Sequence, residues 1–264
     1  VLTIAGSDPS GGAGLQADLA VFAALRCHGM AVIGALTVQN SRGVTATHEV
    51  PAQFVARQIE SLLSDRPPTA AKTGMLPSEE IVRAVASAFV ERPEIPLVVD
   101  PVAVSGGGVR LIDAGAERAI TSLLAPIAAV VTPNASEASS MTGMEVVDVD
   151  GAAAAARRLV EMGARAALVK GGHVDGDRVV DVLVEAGRAP VFVSRPRIVT
   201  ARRVHGTGCA LSAAIAALLA RGAPLERAVR SAGDYVHAAI AAAHADGAGA
   251  ATLDFVAGAA GIPR

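Results

Sequence analysis

Aromatic side chains make up only 2% of this 264-residue chain, with no tryptophan and a single tyrosine. A chain so poor in flat rings offers no platform for stacking bases along a nucleic-acid strand. Charge is also nearly balanced, at a formal −2, which leaves no basic footprint for nucleic acid or for an anionic membrane. The two cysteines, Cys27 and Cys209, are too few for a disulfide framework. No apolar run approaches the roughly 18 residues that a bilayer span needs; the longest, 209–220, stops at Arg221. No signal-peptide pattern precedes the first strand, so a cytoplasmic location is expected. The six histidines form no H-E-x-x-H and no Cys/His cluster, so no zinc site is expected.

What is present is small and aliphatic. Hydrophobic residues reach 52%, and most are Ala, Val and Leu, which suits a closely packed core. Short β-rich runs at 1–6, 31–38, 70–73, 96–100, 128–132 and 166–170 alternate with helical patterns at 13–28, 52–63, 78–91, 114–124 and 151–162. That alternation predicts an α/β fold with a mostly parallel central sheet covered by helices on both faces. Segments 178–184 and 189–194 flank the turn 185–188 and predict an edge β-hairpin. Two Ala-rich helices, 207–221 and 224–246, follow. No linker or repeat interrupts the chain, so one domain over 1–264 is expected. In such sheets ligands bind beyond the carboxyl ends of the strands, which is where the polar and glycine-rich motifs fall.

Residues 12–17, Gly-Ala-Gly-Leu-Gln-Ala, fit the dinucleotide fingerprint G-x-G-x-x-G/A. The second strand, however, ends Thr37-Val38-Gln39-Asn40 without the carboxylate a ribose needs. No G-x-x-x-x-G-K-[ST] sequence occurs either. An NAD oxidoreductase therefore rests on this loop alone. Asp18 falls within the apolar stripe Leu15, Leu19, Phe22 and Leu25; an inward carboxylate must be paired, bond the preceding loop or face a ligand. In "HGTGCALSAAIAALLA", 205–220, the helix is apolar all round and so predicted to be buried. Its N-terminal N–H groups and dipole suit an anion, with Gly206 and Gly208 admitting close backbone approach. The alternative is a plain glycine turn capped by Thr207. Cys209 in the first turn is expected to have a lowered thiol pKa and to serve as a base, unless it is simply a buried small residue. In "VVTPNASEA", 130–138, Asn134 and Glu137 fit a capping box; alternatively they hold water on a magnesium ion, with Asp100 sharing the task. Lys170, heading "KGGH", either reaches a nucleotide phosphate or ends a surface turn.

Taken in order, "TIAGSDPSGGAGLQADL", "TVQNSRGV", "KTGML", "VVDPV", "VTPNASEA", "VKGGH" and "HGTGCALSAA" resemble the ribokinase-like superfamily. Within it they resemble the hydroxymethylpyrimidine/phosphomethylpyrimidine kinases of thiamine biosynthesis. The resemblance implies a ribokinase-like fold and ATP-dependent phosphorylation of a hydroxymethylpyrimidine and then of its monophosphate. It implies Mg2+ and ATP, small-molecule substrates only, and a homodimer. By motif it places Gln39, Gly6, Asp18, Met75 and Val102 around the pyrimidine, and Gly206, Thr207 and Gly208 in an anion hole with Cys209 as base. Lys170 and Asn134 fall to ATP, and Glu137 and Asp100 to the metal. Family members often carry a lysine after "DPV"; here the flap reads "AVSGGGVRL", and Arg110 is expected to stand in. Pyridoxal kinase is the alternative substrate class, and a catalytically silent pyrimidine-binding protein the alternative outside catalysis.

Overall fold

The computed structural model describes residues 1–173, 176–245 and 247–262. β1 (Leu2–Ser7) leads into α1 (Gly14–Ala24), and β2 (Met30–Asn40) turns back as β3 (Gly43–Glu49). Then follow α2 (Ala52–Asp65), β4 (Ala71–Thr73), α3 (Glu79–Phe89), β5 (Leu97–Val99), α4 (Ala114–Ala119), β6 (Val130–Val131), α5 (Ala135–Thr142), α6 (Val149–Glu161) and β7 (Ala166–Val169). β8 (Arg178–Glu185) and β9 (Val191–Pro196) precede β10 (Val204–His205), α7 (Thr207–Ala220), α8 (Leu225–Ala241), β11 (Ala251–Thr252) and α9 (Phe255–Gly258).

Nine strands form one sheet in the order β3-β2-β1-β4-β5-β6-β7-β8-β9. The six from β2 to β7 are parallel to their neighbours. β3 at one edge and the β8–β9 hairpin at the other are antiparallel. Side chains on a strand alternate between faces, and in the central strands both faces are dry. In β5, Leu97 and Val99 pack with α2, α3 and α6, while Val98 packs with α1, α7 and α8. That is why these strands read as continuous apolar runs.

α7 runs through the second layer, with every residue from 210 to 218 buried. Its alanines let α1 and α8 approach closely, so a core with almost no aromatic residues still closes. The one tyrosine, Tyr235, is wholly buried and donates its hydroxyl to Phe255 O at 2.8 Å.

The predicted fold is observed, with local corrections. The strand at 43–49 goes unpredicted because its side chains are almost all exposed, so no apolar alternation marks it. β2 runs on through Gln39 and Asn40, two residues past the predicted run 31–38. Helix 13–28 stops at Ala24 because Arg26 adopts a left-handed φ of 60°. Helix 224–246 stops at Ala241, since His244 exchanges backbone hydrogen bonds with Thr252 at 3.0 and 2.8 Å; its last expected residue, 246, lies outside the described residues. Among the described residues no helix is long and apolar enough to cross a membrane.

Candidate active site

The carboxyl ends of β1, β4, β5, β6 and β7 open into one cavity of about 820 Å³. Gly6, Gln39, Met75 and Val102 line it, as do Asp100, Asn134, Glu137, Lys170, Gly206, Thr207, Gly208 and Cys209. The structure thus gathers every residue predicted for the pyrimidine, anion, nucleotide and metal positions but one.

The exception is Asp18. It is 0% exposed and does not line the cavity. Its carboxylate accepts Lys72 Nζ at 3.0 and 2.9 Å and the Thr3 hydroxyl at 2.6 Å. The inward aspartate is therefore satisfied by a partner 54 residues away, and it is Lys72 that reaches the cavity wall. Burial alone would lower the lysine, but attraction to Asp18, Cys209 and Asp100 holds its ammonium above the usual range. Lys72 therefore stays charged.

Two glycine-rich loops interlock above this pair. In the first, Asp8 accepts from Ser10 N, Ser10 Oγ and Ala13 N at 2.9, 2.7 and 2.9 Å. Gln16 secures the strand end, accepting from Asp8 N at 2.9 Å and donating to Ser7 Oγ at 2.8 Å. In the second loop, Gly206, not Thr207, is the cap of α7, with φ 79° and no side chain to offer. A Cβ at Gly206 would collide with the Gly12 carbonyl oxygen, so only glycine lets the loops meet. The first-turn N–H groups of α7 consequently face the cavity uncapped, beside the positive end of a buried dipole.

Cys209 sits in that first turn. Burial pushes its thiol up from the ordinary range; Lys72 and the Gly14 N–H oppose this, and Asp18 and Asp100 add to it. The expected lowered pKa is thus corrected: desolvation and two carboxylates outweigh the single ammonium, and the resting group is the thiol.

The capping box is present, and so is the electrostatic cluster. Asn134 Oδ1 accepts from Glu137 N at 2.9 Å while Glu137 Oε2 accepts from Asn134 N at 2.7 Å. Lys170 Nζ lies 2.7 Å from Asp100 Oδ1 and 3.8 Å from Glu137 Oε2. Asp100 also accepts Thr132 Oγ1 at 3.2 Å and Ser212 Oγ at 3.0 Å. Burial alone would lower Lys170, yet Asp100 and Glu137 raise it; burial raises Glu137, opposed by Lys170. A Cβ on Gly208 would come within 3.3 Å of Lys170 Nζ, so that glycine lets the ammonium stand against the start of α7.

At the opposite end, Thr37 Oγ1 donates to Ser7 O at 2.8 Å and lies 3.2 Å from Gln39 Oε1. Gln39 Nε2 is 3.1 Å from His205 Nε2, which is 3.1 Å from Asp8 Oδ2. Burial alone would raise Asp8, but hydrogen bonds from His205 and Ser10 hold it below the usual carboxylate range. Ionised Asp8 only accepts, so His205 Nε2 carries its hydrogen. A half-turn of the Gln39 amide then gives His205 an acceptor and Thr37 a donor. Met75 packs on Gly6, its sulfur 3.1 Å from where a Cβ would stand.

Sequence reasoning missed Lys72, Asp8, His205 and Arg203, and the far end of the cavity at Asp181, Arg195, Val236 and Ile240. The one available signal was a lysine inside the apolar run "TAAKTG". Arg110 does not stand over the cavity: it donates to Ile112 O at 3.0 Å and Glu117 Oε2 at 2.7 Å. Magnesium meets a specific environment. Among the described residues no three His, Cys, Asp or Glu groups converge to hold a metal, and Asp100 already accepts at both oxygens. Mg2+ keeps most of its waters and needs only one or two carboxylates besides nucleotide phosphates, so Asp100 and Glu137 fit it through water.

This chain is 46% identical over 94% of its length to the thiamine biosynthesis bifunctional protein ThiED of Geobacter sulfurreducens, of which it spans 50%. It is 44% identical to a hydroxymethylpyrimidine/phosphomethylpyrimidine kinase of Streptomyces coelicolor, covering 96% of this chain and 93% of that one. The pyridoxal kinase of Staphylococcus aureus in complex with ADP has a similar structure, with TM-score 0.89 and 33% identity over 97% of this chain and 93% of that one. The description of the phosphomethylpyrimidine kinase family matches residues 8–254, and the chain belongs to that family.

Proposed function

We propose that this chain transfers the γ-phosphoryl group of ATP to 4-amino-5-hydroxymethyl-2-methylpyrimidine, and then to the resulting monophosphate, in thiamine biosynthesis. One observation carries the reading. A donor–acceptor amide, a thiol, an uncapped helix N-terminus and a lysine–carboxylate cluster line a single cavity. Phosphoryl transfer needs such positioning and charge stabilisation more than covalent chemistry.

Gln39 offers both a donor and an acceptor to an aminopyrimidine edge, with Met75, Gly6 and Val102 against the ring. Cys209 removes the proton of the hydroxymethyl group as its oxygen bonds to the γ-phosphorus and ADP leaves. Cys209 rests as the thiol, and it acts as base through the thiolate, which Lys72 and the α7 dipole make less costly to form against burial and the Asp18 and Asp100 charges. The Thr207, Gly208 and Cys209 N–H groups receive the charge that develops on the transferred group. Lys170 and Asn134 face the nucleotide, and Asp100 and Glu137 would hold hydrated magnesium on its phosphates, where the ion supplies charge neutralisation. The apolar slot of Val236 and Ile240 suits the base of ATP.

The monophosphate needs no base, since its oxygens are already anionic near pH 7. Cys209 therefore serves the first transfer more than the second.

Pyridoxal is the second reading, favoured by the likeness to a pyridoxal kinase. Side-by-side assays with ATP and either acceptor separate the two; a large preference for pyridoxal contradicts the first. We further propose a single folded unit, a cytoplasmic location where ATP is available, and a homodimer. Leu36 and Val38, exposed on one face of β2, support the last; light scattering tests it.

A further inference from the structure

Five basic side chains of Lys or Arg type line the cavity, and four are engaged. Lys72 is held by Asp18 and Lys170 by Asp100. Arg195 donates to Asp234 at 2.9 Å, and Arg197 to the Gly176 and Gly172 carbonyls at 2.7 and 3.1 Å. Among the described residues, the Arg203 guanidinium takes no carboxylate or carbonyl partner. A cation left unpaired over a cavity is available to an anion from outside.

Its position says which anion. The Arg203 backbone is pinned, its carbonyl accepting from Ala251 N at 2.8 Å. The side chain reaches across to the flap, a tight hairpin closed by Ser105 N to Val109 O at 2.8 Å and Leu111 N to Ala103 O at 2.9 Å. A Cβ on Gly106 would run into Arg203 Nη2, and His205 Nδ1 lies 4.0 Å from the same point. The guanidinium thus fills the volume a side chain at 106 would take. It stands near the His205 ring and lines the same cavity as the uncapped start of α7.

We propose that Arg203 binds the phosphate of the monophosphorylated acceptor and so supports the second phosphoryl transfer specifically. The inference rests on the pyrimidine-kinase reading above. Guanidinium pairs with phosphate through two parallel N–H···O bonds, and the unphosphorylated acceptor carries no anion to meet it.

The test compares both acceptors in wild type, Arg203→Ala, Arg203→Lys and the double variant Arg203→Ala/Gly106→Lys, using saturating ATP. In Arg203→Ala the KM for the monophosphate rises about tenfold or more, while that for hydroxymethylpyrimidine stays within about twofold. Arg203→Lys falls between, and a lysine at 106, entering the vacated volume, restores monophosphate affinity. Equal effects on both acceptors, or none on either, overturn the assignment, as does a wild type that accepts hydroxymethylpyrimidine but not its monophosphate. A wild type that phosphorylates neither pyrimidine overturns the underlying reading as well, and is seen before any variant is compared.

Discussion

The loops at 7–14 and 205–208 are both glycine-rich and both run into helices that pack in the same core, α1 and α7, yet they have opposite uses. The first is laced shut: Asp8 alone accepts from two backbone N–H groups and a hydroxyl. Neither α1 nor α7 has a side-chain cap; the difference lies in the loops themselves, because among the described residues no carboxylate folds back onto 206–209, and these residues line the cavity. Glycine before a helix therefore does not mark an anion site by itself. What decides is whether the chain has already spent the N–H groups on its own carboxylates.

The largest effect that separates the loops is catalytic. Cys209→Ala is expected to lower kcat for hydroxymethylpyrimidine by about 10²–10⁴-fold, the usual range for a general base. Its kcat for the monophosphate should fall far less, and its melting temperature should barely move. Equal loss with both acceptors, measured by product chromatography, removes the base assignment.

Next in size is the pair beneath both loops. Lys72→Met leaves Asp18 buried without its cation and should cost about 3–5 kcal/mol, read by urea unfolding. Lys72→Met with Asp18→Leu should recover much of that loss. If Lys72→Met alone is neutral, the ion pair has been misjudged.

A closer comparison uses two glycines of nearly equal φ, 78° at Gly11 and 79° at Gly206. Gly11→Ala meets nothing within 4 Å, so it should cost only the left-handed penalty of about 1–2 kcal/mol and keep activity. Gly206→Ala adds the collision with the Gly12 carbonyl; it should be less stable still and inactive. Equal losses at the two sites contradict the interlocking of the loops.

The smallest effect depends on pH. Asp8 is held below its ordinary range, so its contribution to stability is present above the unfolded carboxylate pKa of about 4. It disappears as pH falls through the lower folded value. Asp8→Asn should therefore lose stability at neutral pH and narrow the gap from wild type in acid. A constant difference across that window denies the linkage.

How much of this the sequence disclosed follows from the range of the interactions. Asn134 and Glu137 were legible because a capping box is written within four residues. The buried α7 and the parallel strands were legible because burial on every side leaves an uninterrupted apolar run. The position of Asp18 could be read from its helix stripe, but its partner could not, since Lys72 arrives from another strand. His205 and Asp8 are separated by 197 residues, and no local pattern joins them. Arg110 was the nearest cation to the flap in sequence, yet Glu117 holds it, while Arg203 comes from a connection almost a hundred residues on. β3 carries too little buried surface to announce itself.

The contrast between the loops can be measured directly by following backbone amide resonances while a non-hydrolysable ATP analogue is added with hydroxymethylpyrimidine and magnesium. The account predicts that the largest shifts, and the new protection from solvent exchange, fall on Thr207, Gly208 and Cys209, with Ser10, Gly11 and Gly12 little changed. Shifts centred on residues 10–12, with 207–209 unmoved, would contradict it.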